Sequence, residues 1–211
     1  MSKLYLIKHA MPELDPNVPA PDWRLGARGR ALSELLAQKL AAYPLDVIVS
    51  SVEPKAIETA QIVAARLGKP FEIGEDLHEH ERRNEPFTTR DNFEARVAEF
   101  FAKPNELVLG SETANQAHAR FANAIARVIE KHPQKNIAVV AHGTVISLFV
   151  ARTQASPFEF WKRLGLPSIV VLDVGCWTLE VGYAASSQTI QPPISNFQFP
   201  ISIAEVIENV E

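Results

Sequence analysis

Two apolar segments of this chain each end on a histidine. They are Leu4–Ala10, which contains His9, and Ile137–Gly143, which contains His142. Each has the length and composition of a buried strand, and a third strand-like segment, Val47–Val49, lies between them in the sequence. In an open parallel sheet, ligands bind beyond the carboxyl ends of the strands. We therefore expect the two imidazoles to meet over one pocket, although they lie far apart in the sequence.

The composition is that of a globular protein with an ordinary hydrophobic core. Of the 211 residues, 46% are hydrophobic and 22% are charged, and the formal net charge is −4. That charge gives no general attraction to nucleic acid or to anionic membranes, so we expect neither as a partner. The single cysteine, Cys176, cannot form an internal disulfide. With no membrane-spanning run and no room for a signal peptide before the first strand, we expect a cytoplasmic location.

Strand-like and helix-like segments alternate along the chain. The periodicity predicts helices over residues 29–42, 52–67, 90–102, 112–131, 144–152 and 156–164, and it predicts strands over 4–8, 47–50, 70–73, 137–141, 169–174 and 177–183. This alternation indicates an α/β sandwich on a mainly parallel sheet, in a single domain over residues 1–211. The last two strands are expected to form a hairpin at a sheet edge. The proline-containing tail from about Ala184 is expected to pack irregularly.

The residues around the two histidines suit phosphoryl chemistry. A histidine that attacks phosphorus must be neutral at the attacking nitrogen, and cations must neutralise the phosphoryl oxygens. Lys8 precedes His9, and Lys55 lies in the first turn of the helix after the second strand. The N-terminus of that helix also offers free N–H groups to an anion. His142 would complete the ring of groups, with Gly143 permitting a close backbone approach.

Together these motifs resemble the histidine phosphatase superfamily, which also contains the cofactor-dependent phosphoglycerate mutases. The family pattern is Arg-His-Gly after the first strand, Ser-Ser-x-x-x-Arg-Ala-x-x-Thr-Ala after the second, and His-Gly after a later one. The corresponding segments here are Lys8–Ala10, Ser50–Ala60 and His142–Gly143, and Trp23–Ala31 is similar to the family's entry to its first helix. The motifs follow the family order with family-like spacing, over residues 3–175.

The resemblance implies the phosphoglycerate mutase-like fold, a three-layer α/β/α sandwich on a mainly parallel sheet with an antiparallel edge. It also implies that His9 is the nucleophile that becomes phosphohistidine and that His142 stabilises the transition state. The family's proton donor is commonly a glutamate in a Leu-x-Glu pattern. Glu79 matches that pattern and is the candidate general acid, with Glu81 as its near rival.

Both phosphate-binding arginines of the family pattern are lysines here, Lys8 and Lys55. Arginine offers two parallel hydrogen bonds in a planar fork, whereas lysine offers a point charge. Because the charge is kept at both positions, we favour a modified working pocket over an inactive one. The chain also has Met11–Leu14 where the mutases carry further phosphate ligands, and no aromatic–glycine pair follows Glu79. Hydrolysis is therefore favoured over mutase chemistry.

The sequence is thus interpreted as a metal-independent phosphatase that acts on a small phosphomonoester without a cofactor. Two alternatives stay open: a phospho-ligand binding or regulatory protein made inactive by the two lysines, and a phosphoglycerate-type mutase. His78 and His80 lack a convincing metal spacing, so no metal site is predicted. Because the general acid must be protonated and the nucleophile neutral, activity is expected to peak on the acid side of neutrality.

Three further pairs of residues have plainer interpretations. Arg82 and Arg83 could meet an anionic substrate, but a solvated charged loop is the default interpretation. Glu112 and Arg120 are placed on one long helix and are interpreted as making surface or interhelix pairs, and Phe160–Trp161 is interpreted as core packing.

Overall fold

The computed structural model describes residues 2–151, 156–174 and 201–210. The described strands are β1 (Ser2–Lys8), β2 (Val47–Ser50), β3 (Phe71–Ile73), β4 (Ile137–Ala141), β5 (Ser168–Val174) and β6 (Ile201–Ile207). The described helices are α1 (Ala27–Leu40), α2 (Pro54–Leu67), α3 (Arg90–Ala102), α4 (Ala114–Lys131), α5 (Gly143–Ala151) and α6 (Pro157–Arg163). Helix α2 begins on a proline and ends before Gly68, which adopts the left-handed conformation that favours glycine.

The strands form one sheet in the order β3-β2-β4-β1-β5-β6. The first four run parallel to one another, whereas β5 is antiparallel to β1 and β6 is antiparallel to β5. Strands β2, β4 and β1 are therefore neighbours whose carboxyl ends meet at one edge. The predicted mainly parallel sheet with an antiparallel edge is confirmed.

The core lies on both faces of this sheet. In β1, Leu4 and Leu6 pack with α4, α5 and α6 on one face, while Tyr5 and Ile7 pack with α1 and α2 on the other. This alternation follows from the two-residue period of a strand. Because every residue of β4 is buried, the sheet is covered on both sides, as the predicted three-layer sandwich requires. No helix in the described ranges is long and apolar enough to cross a membrane.

The end of the chain differs from the prediction. The second strand of the expected hairpin, 177–183, and Cys176 lie outside the described residues. The strand that pairs with the outer edge of β5 is β6, so the expectation of an irregular tail from Ala184 is wrong over Ile201–Ile207. The register shifts between Val171 and Leu172, which interrupts the two-residue alternation along β6. This interruption hides the strand from a search for periodicity.

Candidate active site

The strand-end motifs meet at one edge of the sheet. His9 follows β1 and His142 follows β4, and the pairing of Lys8 with Ala141 places the two histidines side by side. Their ring centroids are 5.1 Å apart, and the backbone N–H of His9 donates to the carbonyl of Ala141. The expected meeting of the two imidazoles over one site is confirmed.

The neighbouring backbone holds His9 in one tautomer. Nδ1 of His9 lies 2.8 Å from the carbonyl oxygen of Ala10. Because a carbonyl only accepts hydrogen bonds, Nδ1 carries the proton and Nε2 keeps its lone pair. Burial, together with the nearby His142 and Lys55, lowers the pKa of His9 well below its usual value. The ring is therefore neutral around pH 7, with Nε2 free to act as a nucleophile.

His142 is fully buried and is bonded to the motif that follows β2. Its Nε2 lies 2.7 Å from Oγ of Ser51 and 3.6 Å from Oε1 of Glu53. Ser51 Oγ also accepts the N–H of Glu53, which fixes the hydroxyl in place. Burial, and then the charge of Lys55, lowers the pKa of His142 well below its usual value. Nδ1 of His142 has no partner within the described chain, so it is a buried polar atom that a ligand would satisfy.

Lys8 brings an ammonium group to the same edge. Its Nζ donates to the carbonyl of Leu164 at 2.8 Å and lies 5.9 Å from the centre of the Trp161 ring. A Cβ at position 143 would lie 3.3 Å from this Nζ, so Gly143 leaves the room that the lysine occupies. Burial lowers the pKa of Lys8 to about 8, while Glu79 acts in the opposite direction. An ammonium has three N–H donors, so two remain for a ligand.

Lys55, in the first turn of α2, is held more tightly than Lys8. Its Nζ donates to the carbonyl of Ala20 at 2.8 Å and forms a very short ion pair with Glu53. The side chains of Lys55 and Glu53 are only 5% and 6% exposed. Burial lowers the pKa of Lys55, and Glu53 offsets part of that effect. One N–H of the ammonium remains for a ligand.

Glu79 lies beside the histidines as a carboxylate. Its oxygens accept the backbone N–H groups of Thr144 and Val145, each at 3.2 Å, in the first turn of α5. Burial alone would raise the pKa of Glu79, but the nearby His80, His142 and Arg82 outweigh it and hold the pKa well below the usual value. A general acid needs a raised pKa. In the free site Glu79 is instead a carboxylate with a lowered pKa, because a helix N-terminus and cations lie beside it.

Arg120 on α4 anchors the loop that carries Glu79. Its guanidinium donates to three backbone carbonyls within residues 76–79 and to both carboxylate oxygens of Glu112. Glu112 in turn accepts the backbone N–H of Glu81. The sequence predicts surface or interhelix pairs for Arg120 and Glu112. The two residues instead pair with each other, and this pair is largely buried, with side chains 16% and 11% exposed. It therefore positions the loop, which a simple surface pair would not do.

The side chain of Glu81 lies outside this group. It is 47% exposed and its Oε1 lies 3.0 Å from Nε2 of His78. The structure thus brings Glu79 to the histidines and leaves Glu81 at the surface.

Arg82 and Arg83 lie in different environments. Arg83 forms two hydrogen bonds with the carboxylate of Asp22 at the surface. The guanidinium of Arg82 instead lies 4.7 Å from the centre of the Phe93 ring, and its Nε is buried without a partner among the described residues. The solvated-loop interpretation therefore describes Arg83 but not Arg82. This buried, unpartnered guanidinium nitrogen is a donor that a ligand would satisfy.

Sequence reasoning did not single out Ser51 and Glu53. Both lie within the Ser50–Ala60 motif, so the motif itself contained the signal. A carboxylate two residues before Lys55 in a helix N-terminal turn could have been recognised as its ion-pair partner. Among the residues that the structure describes, no group of three or more His, Cys, Asp or Glu side chains is arranged to hold a metal ion.

Comparison with known proteins gives one family. The family model for the histidine phosphatase superfamily (branch 1) matches residues 4–180. Phosphoglycerate mutase-like protein 4 of Arabidopsis thaliana is 27% identical over 171 residues, which cover 76% of this chain and 74% of that protein. Adenosylcobalamin/alpha-ribazole phosphatase of Escherichia coli (strain K12) is 27% identical over 193 residues, which cover 83% of this chain and 88% of that protein.

The same fold is present in solved structures. A mutant phosphoserine phosphatase from Entamoeba histolytica, in complex with phosphoserine, superposes with a TM-score of 0.68 at 20% identity. The match covers 83% of this chain and 92% of that one. At this level of identity the likeness concerns the fold.

Proposed function

The chain belongs to the histidine phosphatase superfamily (branch 1), and we propose that it is a metal-independent phosphatase that hydrolyses a small phosphomonoester through phosphohistidine at His9. The observation that carries the proposal is the hydrogen bond from Nδ1 of His9 to Ala10. It leaves Nε2 with a lone pair in a buried site whose other side chains include cations. A neutral imidazole among cations is the arrangement that attack on phosphorus needs.

The phosphoryl oxygens would be held by donors that the free site leaves unused. Lys8 has two spare N–H groups and Lys55 has one, because each ammonium also bonds to backbone carbonyl or carboxylate oxygen. His142 adds the unpartnered Nδ1. We include Arg82 in this set, because its guanidinium supplies the planar donor that the two lysines lack.

Glu79 would act as the proton donor in the first step and as the proton acceptor in the second. A phosphate dianion beside its carboxylate raises the pKa of that carboxylate, so Glu79 takes up a proton as the substrate binds. Nε2 of His9 then bonds to phosphorus while the bond from phosphorus to the alcohol oxygen breaks, and Glu79 protonates that oxygen. In the second step water attacks the phosphorus of the phosphohistidine and gives a proton to Glu79. The bond from phosphorus to Nε2 breaks, so His9 and inorganic phosphate are released.

One observation favours the binding-protein alternative. Lys55 is already paired with Glu53, so part of the cationic charge of the pocket is neutralised before any ligand arrives. A pocket of this kind could hold a phosphorylated ligand without turning it over.

Phosphate release from p-nitrophenyl phosphate, with chelator present and from mildly acidic to neutral pH, tests the proposal. His9→Ala is expected to reduce the rate to background. His132→Ala is the matched control, because that ring pairs with Glu72 on the periphery, and it is expected to keep the wild-type rate. Absence of turnover by the wild-type protein, combined with measurable phosphate binding, would overturn the enzyme in favour of the binding protein. Phosphate transfer without release, dependent on a phosphorylated primer, would identify a mutase.

A further inference from the structure

A cavity of 970 Å³ adjoins the phosphoryl site. Lys8 and Arg82 line it, as do the aromatic residues Trp23, Phe87, Phe93 and Trp161. Because Lys8 also precedes the nucleophile, the cavity begins where the phosphoryl group would be held. Its volume is in the range that small-molecule sites occupy.

The walls of the cavity are aromatic and in part exposed to solvent. Trp23 and Phe87 meet edge to face with ring centroids 6.3 Å apart, and Phe93 and Trp161 do so at 6.1 Å. Phe87 is 51% exposed, and Leu14, which also lines the cavity, is 57% exposed. Large apolar side chains gathered on one concave surface mark a binding site for an apolar group. The expectation of core packing for Trp161 is thus incomplete, since one part of its ring borders this cavity.

The charges of the cavity are divided between its inner end and its rim. At the rim, Arg90 pairs with Glu94 and Arg96 pairs with Glu85. At the inner end, neither Lys8 nor Arg82 forms an ion pair with a carboxylate of the described chain, although the charge of Glu79 acts on both. An anion is therefore favoured only at the inner end. A second negative group on the substrate would find rim cations that already have carboxylate partners.

We propose that this cavity holds the alcohol part of the substrate and that the preferred substrates are phosphomonoesters of large apolar alcohols, aromatic ones above all. The phosphoryl group lies between Lys8 and Arg82, and the apolar group lies against Trp23, Phe87, Phe93 and Trp161. Phosphorylated sugar acids and amino acids are disfavoured, because the cations at the rim that could bind their carboxylate already have carboxylate partners. The proposal rests on the phosphatase function proposed above.

The test compares two alkyl esters whose alcohols have similar leaving ability, 2-(1-naphthyl)ethyl phosphate and ethyl phosphate. The wild-type kcat/KM is expected to favour the naphthyl ester by about tenfold or more, since burial of one aromatic ring contributes at least that much. Phe87→Ala is expected to lower kcat/KM for the naphthyl ester far more than for ethyl phosphate, and so to remove most of this preference. Leu107→Ala is the matched control, because Leu107 is 66% exposed and lies outside the cavity. Equal rates on both esters, or faster hydrolysis of 3-phosphoglycerate, would overturn the proposal.

A binding measurement separates this proposal from the phosphatase function. The affinities of 2-(1-naphthyl)ethyl phosphonate and ethyl phosphonate, which cannot be hydrolysed, are measured by calorimetry. Tighter binding of the naphthyl compound, reduced by Phe87→Ala, supports the cavity even if no ester is turned over. Equal affinities contradict it whether or not the protein is a phosphatase.

Discussion

Glu53 and Lys55 form a buried ion pair at the start of α2, with Oε1 of the same Glu53 only 3.6 Å from Nε2 of His142. The carboxylate therefore competes with any phosphate for the charge of Lys55. Glu53→Gln keeps an oxygen that can accept the N–H of Glu79 but removes this competition. We expect the variant to bind inorganic phosphate more tightly by about tenfold.

The same variant tests how the pair contributes to stability. Removing one partner of a buried ion pair costs about 3–5 kcal/mol, because the other charge is left uncompensated. Thermal unfolding is expected at a lower temperature without phosphate and to recover when phosphate is added. Unchanged unfolding temperature and phosphate affinity would show that the pair is not formed in solution.

The pKa of Lys8 sets an alkaline limit on activity. Burial lowers this pKa to about 8, so the ammonium is charged below that pH and neutral above it. The kcat/KM profile, which reports the free protein, is expected to fall as the pH rises through about 8. Arginine keeps its charge at higher pH, so kcat/KM of Lys8→Arg is expected not to fall near pH 8, even if crowding against Gly143 lowers the overall rate. A fall that stays in the variant would have to be assigned to another group.

Arg82 and Arg83 are adjacent in sequence and provide a matched pair of variants. Arg82→Lys keeps the charge but loses the planar donor, so competitive inhibition by phosphate is expected to weaken by about tenfold, which corresponds to the loss of one charged hydrogen bond. Arg83→Lys changes a surface pair with Asp22 at the edge of the cavity and is expected to leave inhibition by phosphate unchanged. Equal effects of the two substitutions would contradict the anion-binding role of Arg82.

Arg120 is a positioning residue for the proposed proton donor. Arg120→Lys leaves backbone carbonyls of the 76–79 loop unpaired, so Glu79 shifts from its place at α5. Hydrolysis of an alkyl phosphate, whose leaving oxygen needs a proton, is expected to fall by about a hundredfold. Hydrolysis of p-nitrophenyl phosphate, whose leaving group needs none, is expected to change little. Glu79→Gln should give the same contrast between the two substrates, and equal losses on both would indicate a general structural defect.

The parts of the site that depend on strand order were predictable from sequence. His9 and His142 end apolar strands, and parallel neighbours bring such ends together whatever their separation in the chain. Helix α3 was predicted with its observed ends, Arg90–Ala102, because its apolar spacing and the residues on either side of it indicate the same ends. Local pattern alone sufficed in these cases.

Other features depend on packing between distant segments. The pKa of Glu79 is held low by His80, His142 and Arg82, and its carboxylate also accepts an N–H from the start of α5, 65 residues further along the chain. Arg82 and Arg83 are chemically identical, and only the positions of Phe93 and Asp22 distinguish them. Strand β6 was missed because a register shift breaks its alternation. Sequence periodicity does not contain this information.

The hydrogen bond from His9 to Ala10 also determines which isomer of the intermediate can form. With Nδ1 occupied by its proton and the carbonyl, the new bond to phosphorus can be made only at Nε2, so the adduct is the tele isomer of phosphohistidine. The pros isomer would require the ring to turn over inside a buried site. Of two antibodies that each recognise one isomer, only the antibody against the tele isomer would therefore bind the trapped phosphoprotein.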